Sequence, residues 1–226
     1  MYEKYLKRVL DLMLSMVALM VLSPVLLVLI VLGAVKMKGN PFFTQLRPGK
    51  EEKIFRLIKF RSMTCETDAQ GNPLPDEVRL TRYGKLLRST SLDELPELIN
   101  ILKGDMSIVG PRPQLVRDMV FMTSAQRRRH SVRPGLTGLA QVSGRNNITW
   151  EQKFEYDLQY IDGGITFAND VKIILQTVEK VFKREDTVRE GTASDLDFGD
   201  WLLQKGEVTE EDYTRCQEEA RELMNI

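Results

Sequence analysis

The chain has 226 residues, 42% of them hydrophobic, enough for one compact domain plus a membrane element, and it carries no internal repeat. Formal charge cancels at 32 basic and 32 acidic residues, yet bases dominate from Met1 to Lys59 and acids after Gly191. The two cysteines, Cys65 and Cys216, have no metal-ligand spacing and His130 is the single histidine, which excludes a zinc centre and fits a reduced, cytosolic setting.

Leu12 to Val35 is unbroken hydrocarbon without a charge, long enough as one helix for a bilayer that takes about 20 residues. Ser23-Pro24 lies at its centre, where proline removes a backbone donor and the serine hydroxyl can take the freed carbonyl, so a bend is expected there. Lys4, Lys7 and Arg8 precede the segment and Lys36 and Lys38 follow it, which draws both ends to the cytoplasmic side. Each half would reach roughly 18 Å, about the midplane of the hydrocarbon. The favoured reading is a re-entrant helical hairpin over residues 1–38 bent at Ser23 and Pro24, on anionic inner-leaflet lipid, with a kinked single span as the alternative. A cleaved signal peptide is disfavoured, because the apolar stretch is too long and Leu32-Gly33-Ala34-Val35-Lys36 is a poor cleavage site.

Gly39-Asn40-Pro41 ends that element, and a cytosolic catalytic domain over residues 39–190 follows. Phe42 to Lys50 reads as strand and turn and Lys53 to Lys59 alternates like a second strand, with helix as the alternative there; Asp68 to Asp76 is a polar loop. Leu80–Leu87 and Leu92–Leu102 have helical spacing, with Gly104 placed to stop the second helix. Ser91-Leu92-Asp93-Glu94 has the pattern of a capping box, which places Asp93 and Glu94 in a first helical turn, although Pro96 complicates its start. Asp170 to Arg184 predicts an amphipathic helix with Val171, Ile174, Leu175, Val178, Val181 and Phe182 on one side; it lies on a membrane surface or, at comparable odds, faces the core. An acidic extension over 191–226, whose charge points to solution, ends in a helix from Thr209 to about Met224 that packs on the domain or a partner; it could recruit a partner enzyme such as a downstream glycosyltransferase, stabilise a dimer or pack over the active site, and no motif decides among these. The fold class is thus α+β and mainly helical.

The chemistry concentrates in turns: Asp93-Glu94, Lys103-Gly104-Asp105, Gly110-Pro111-Arg112-Pro113 and Arg133-Pro134-Gly135 through Arg145-Asn146-Asn147. Guanidinium forks match phosphate oxygens, so Arg88, Arg112, Arg133 and Arg145 suggest a polyanion such as a diphosphate. A carboxylate beside phosphate needs an intervening cation, and Mg²⁺ binds through one or two carboxylates plus phosphate. Taken alone, Asp-Glu at a helix start is more often plain dipole stabilisation. No phosphate-binding glycine loop or dinucleotide fingerprint is present, and Arg127-Arg128-Arg129 lacks the aromatic interleaving of a nucleic-acid surface.

Lys7-Arg8-x-x-Asp11, Ser23-Pro24, Phe43-Thr44-Gln45-x-Arg47-Pro48-Gly49, Lys59-Phe60-Arg61-Ser62-Met63, Ser91 to Pro96, Lys103 to Ser107, Val109 to Pro113 and Arg133 to Gly138 together resemble the bacterial sugar transferase family, and more closely its small monotopic phosphoglycosyl transferases. The resemblance implies Mg²⁺ dependence and a covalent mechanism on the cytoplasmic face of the bacterial inner membrane. Asp93 would attack the β-phosphate of a UDP-sugar with release of UMP, and polyprenyl phosphate would then take the sugar phosphate. It implies catalytic roles for Asp93 and Glu94, Asp93 as the metal ligand, and phosphate contacts from Lys59, Arg88, Arg112 and Arg145. Glu94 holds the metal or handles a proton; the sequence leaves both open. The donor expected is an N-acetylated hexosamine or a diacetamido sugar. Two rivals remain, a non-catalytic membrane-tethered module that would not depend on Asp93, and a metal-dependent phosphohydrolase of lipid-linked diphosphates.

Overall fold

The computed structural model describes residues 1–144, 148–183 and 196–225. A π-helical turn at Tyr2–Leu6 leads into α1 (Lys7–Lys36), 30 residues long and unbroken across Pro24, so the segment expected as a hairpin is one continuous helix, long and apolar enough to cross a membrane. Proline has no N–H for the Met20 carbonyl, and Ser23 Oγ donates to that carbonyl at 2.8 Å instead.

One stripe of α1 rests on the domain from end to end. Near its start Arg8 donates to the carbonyls of Ile101 and Leu102, and the buried Asp11 accepts from Ser107 Oγ at 2.7 Å and the Ile108 amide at 3.0 Å. Ala18 and Leu19 pack against Leu57, Leu98 and Ile101, and past Pro24 Leu26, Leu29 and Ile30 pack against Phe60 and Leu87. The Tyr83 hydroxyl closes the far end on the Leu29 carbonyl at 2.9 Å. The opposite stripe, including Val9, Met13, Val17, Met20, Val28 and Val31, is exposed hydrocarbon.

The alternating segments form an antiparallel hairpin of β1 (Phe42–Pro48) and β2 (Ile54–Phe60), in register from Phe42 opposite Phe60 to Pro48 opposite Ile54. The Asp68 loop precedes α2 (Asp76–Arg79) and α3 (Arg82–Ser89). The expected capping box is absent: Ser91 is left-handed at φ 54° and its side chain caps nothing, so Asp93 and Glu94 sit in a separate 3-10 turn, Leu92–Glu94. The α-helix α4 (Glu97–Lys103) starts only after Pro96, whose missing N–H suits a helix N-terminus, and stops at Gly104 with φ 94°. Asn100 fixes α4 to β2, accepting from the Ile58 amide and donating to the Arg56 carbonyl.

β3 (Ser107–Val109) precedes α5 (Val116–Met119), α6 (Ser124–Arg127) and a 3-10 turn at Arg128–Ser131, and pairs in parallel with β4 (Gly135–Thr137). Gly110 and Gly135 exist for this crossing, since a Cβ on Gly135 would lie 2.1 Å from the Gly110 nitrogen. α7 (Leu139–Ser143), α8 (Trp150–Asp162) and α9 (Phe167–Lys183) follow. α9 turns Asp170 and Ile173 inward and bonds Thr177 to Thr137, while Leu175, Val178 and Val181 of the expected apolar face stay exposed. It therefore serves the core with one stripe and leaves hydrocarbon outside on another; the Phe182 side chain lies outside the described residues.

In the acidic extension, α10 (Phe198–Lys205) and α11 (Glu210–Met224) dock on the domain, as the packing reading of the terminal helix expects and against the acidic composition that points to solvent. Phe198 and Leu202 enter a core with Met122, Trp150 and Phe154, and Ala220 is fully buried against Val116, Met119 and Val120. Thr209 caps α11 by accepting from the Asp212 amide, as its spacing requires.

Candidate active site

β2 delivers Lys59, the 3-10 turn delivers Asp93 and Glu94, α4 begins with Glu97, and the Gly110–Pro113 turn brings Arg112 to the same point. Lys59 Nζ lies 2.9 Å from Glu94 Oε1 and 3.1 Å from Glu97 Oε1, and Arg112 lies 2.7 Å from the same Glu94 oxygen. Asp93 enters no hydrogen bond or ion pair among the described residues and faces a cleft of about 1640 Å³. Arg88 lines that cleft as well and bonds Ser62 Oγ through Nε at 3.0 Å.

Adjacent carboxylates are thereby set apart. Burial raises Glu94, but Arg112 and Lys59 outweigh it and hold this carboxyl well below the usual range. Burial and the neighbouring Glu94 charge push Asp93 up, against Lys59, Arg112 and Arg88. Burial pushes Glu97 up to about 7 despite Lys59. Lys59, Arg88 and Arg112 thus bring positive charge to the side of the cleft where Asp93 lies.

Five of the expected site residues, Lys59, Arg88, Asp93, Glu94 and Arg112, line one cleft. Arg145 lies outside the described residues. Arg133 does not join them: its Nε donates to the Gly104 carbonyl, and it borders a separate cavity of about 70 Å³ with Lys4, Arg8 and Asp11. Glu97 was missed, although its position three residues after Glu94 and four after Asp93 puts it on their side of a helical turn. Arg47, within the Phe43–Gly49 motif and not among the expected phosphate contacts, also lines the cleft and donates to the Pro113 carbonyl at 3.1 Å and to Gln45 Oε1 at 2.7 Å. His130 is buried with its imidazole pushed down to about 3, first by burial and then by Arg129, so it is neutral and has no acid-base role at neutral pH.

Among the described residues no three histidine, cysteine or acidic side chains cluster as a metal site. A Mg²⁺ ion that keeps waters and substrate phosphate as its other ligands needs only one or two carboxylates, and the unengaged Asp93 fits that demand.

A buried cationic clamp beside an uncommitted carboxylate makes a site suited to phosphate chemistry, in a chain that also carries a helix apolar and long enough to cross a membrane. The chain matches the bacterial sugar transferase family over residues 2–184 and belongs to it. It is 50% identical over 180 residues to the uncharacterized sugar transferase EpsL of Bacillus subtilis (strain 168), covering 80% of this chain and 89% of that one. It is 41% identical to the UDP-glucose:undecaprenyl-phosphate glucose-1-phosphate transferase of Klebsiella pneumoniae, over 78% of this chain and 40% of that protein. It is also 40% identical to the galactosyl transferase CpsE of Streptococcus agalactiae serotype III, over 77% and 42%. The chain thus spans less than half the length of these last two relatives.

Proposed function

We propose that this sugar transferase moves a sugar-1-phosphate from a UDP-sugar to polyprenyl phosphate through a covalent intermediate on Asp93. The observation that carries the reading is the division of labour between neighbours: Glu94 takes Lys59 and Arg112, and Asp93 is left facing the cleft. The name of the Klebsiella relative, which gives UDP-glucose and undecaprenyl phosphate, supports the donor and acceptor classes, and that of the Streptococcus relative supports a hexose as the group moved.

In the first step an Asp93 oxygen attacks the β-phosphorus, the bridging bond to the α-phosphate breaks, and UMP leaves with that oxygen. In the second, an oxygen of polyprenyl phosphate attacks the same phosphorus, the Asp93–phosphorus bond breaks, and a polyprenyl-diphosphate sugar forms. A carboxylate needs no base to become a nucleophile, only ionisation, so the raised Asp93 pKa sets an acid limb above the ordinary aspartate value. Arg88, Arg112 and Lys59 stabilise charge on the transferring group. Mg²⁺ held by Asp93, with the second oxygen of Glu94 as a further ligand, would offset the repulsion between carboxylate and diphosphate. Glucose and galactose, which occur in the relatives' names, stand beside an N-acetylated hexosamine or diacetamido sugar as donors.

The same reading would put the enzyme on the cytoplasmic face of the inner membrane with both ends of α1 on that face, which its basic flanks Lys4, Lys7, Arg8, Lys36 and Lys38 support; the helix itself is continuous and forms no hairpin. Asp11 and Tyr83's partner Leu29 both rest on one domain, yet lie roughly 27 Å apart along an unbent helix, close to the whole hydrocarbon thickness. A domain in water cannot hold both ends of a perpendicular span. The exposed α9 stripe of Leu175, Val178 and Val181 supports contact with the same surface.

Purified protein, Mg²⁺, a panel of UDP-sugars and polyprenyl phosphate test the reaction. UMP and a lipid-linked diphosphate sugar should appear together; sugar phosphate released into water without acceptor would instead favour hydrolysis. A cysteine-accessibility scan should label positions 5 and 38 from the cytoplasmic side, and labelling of either from outside would sink the arrangement with both ends on that face.

A further inference from the structure

The segment past residue 184 lies beyond the family match, and it nevertheless builds part of the cleft. Leu196, Asp197, Asp200 and Trp201 line it in common with Asp93, Glu94 and Arg112. The domain is shaped to receive them. Asp118, 1% exposed, accepts the Phe198 amide at 2.9 Å and the Leu115 amide at 3.0 Å, so one buried carboxylate ties the extension to the strand-to-helix turn that follows Arg112. Trp150 Nε1 donates to the Leu196 carbonyl at 3.2 Å. Gly199 packs so closely that a Cβ would lie 2.4 Å from the Phe121 ring. Asp197 pairs with Arg117 of α5. These contacts make a fixed wall, not a loose tail.

The chemistry of that wall differs from the clamp opposite. Asp197 is paired with Arg117, whereas among the described residues the Asp200 side chain accepts only from Tyr213, through Oδ1, which leaves Oδ2 for another donor. An acceptor carboxylate repels phosphate and suits hydroxyl groups, and Trp201 lines the cleft beside it, its ring held by stacking on Phe198 and by Lys205 Nζ 3.8 Å from the ring centroid. We propose that the extension is the donor-selective wall of this site, with Asp200 and Trp201 contacting a hydroxyl-bearing, uncharged part of the nucleotide sugar, its ribose or its hexose. The proposal rests on the UDP-sugar reading above.

The test uses the full chain with Asp200→Asn and Trp201→Leu, each checked for a wild-type melting temperature, and UMP release from UDP-glucose, UDP-galactose and UDP-N-acetylglucosamine. For the preferred donor, kcat/KM should fall about tenfold or more, carried by KM, with KM for polyprenyl phosphate unchanged. If the hexose is the contact, discrimination among donors shrinks and inhibition by UMP is unaltered. If the ribose is the contact, UMP inhibition weakens by the same factor and discrimination persists. Both variants within about twofold of wild type for every donor and for UMP would overturn the proposal while the transferase reading stands. A wild-type chain that releases UMP from no donor would overturn both. Should Trp201→Leu lower the melting temperature, Asp200→Asn alone, rescued by Asp200→Glu, decides.

Discussion

Two charge clusters meet at Arg112 and are built for opposite ends. Arg129 and Asp157 form a closed pair, 1% and 2% exposed, with two guanidinium bonds to one carboxylate oxygen; Arg129 also donates to the Arg112 carbonyl at 2.6 Å. The second cluster is open: Lys59 and Arg112 are shared among Glu94 and Glu97, and Asp93 stands beside them without a partner among the described residues. The closed pair fixes the backbone that carries Arg112. In the closed pair both bonds fall on Asp157 Oδ2, and Oδ1 is buried without a hydrogen-bond partner among the described residues. On the proposed mechanism the open cluster leaves Asp93 to react.

Breaking each cluster should give different failures. Asp93→Asn should lower UMP release on the order of 10³-fold with the melting temperature unchanged, measured with saturating donor and acceptor. Arg129→Met strands Asp157 in the core and should cost about 3–5 kcal/mol in chemical denaturation, while Arg129→Met with Asp157→Leu should recover most of it. Glu94→Gln frees Lys59 and Arg112 and removes a charge that raises Asp93, so turnover should fall about tenfold and the acid limb of its pH profile should move to lower pH. The smallest effect is on stability. The Glu97 pKa of about 7 lies above its unfolded value of 4.5, so as pH rises between these values the unfolded chain releases a proton that the folded chain keeps. Stability contributed by this group is therefore full below the lower value and lost through the upper one. Glu97→Gln should raise the melting temperature above pH 7 and leave it unchanged near pH 4.

What the sequence disclosed follows from the range of the interactions involved. The hairpin from Phe42 to Phe60 was legible because alternation is local, as were the Gly104 stop and the Ser23 bond to the Met20 carbonyl. Asp93, Glu94, Lys59, Arg88 and Arg112 were legible only through family motifs, since no spacing tells which carboxylate is clamped. The left-handed Ser91 defeated the capping pattern because the turn is set by Pro96 and by the docking of α4, not by its own side chain. The extension was hardest to read. Its acidic composition pointed to solvent, while Phe198, Leu202 and Ala220 were buried by partners more than forty residues away in Trp150, Phe154 and Val116. Long-range burial of a few apolar residues outweighs the charge of the surface around them.

The central claim is that Asp93 becomes covalently bonded to the sugar phosphate. Intact-protein mass after incubation with Mg²⁺ and a panel of UDP-sugars, without lipid acceptor, tests it most directly. The account predicts a sugar-phosphate adduct on the wild-type chain, lost on addition of polyprenyl phosphate and never formed on Asp93→Asn. A wild-type enzyme that transfers sugar phosphate with no adduct at any time, or an adduct that persists in Asp93→Asn, would contradict it.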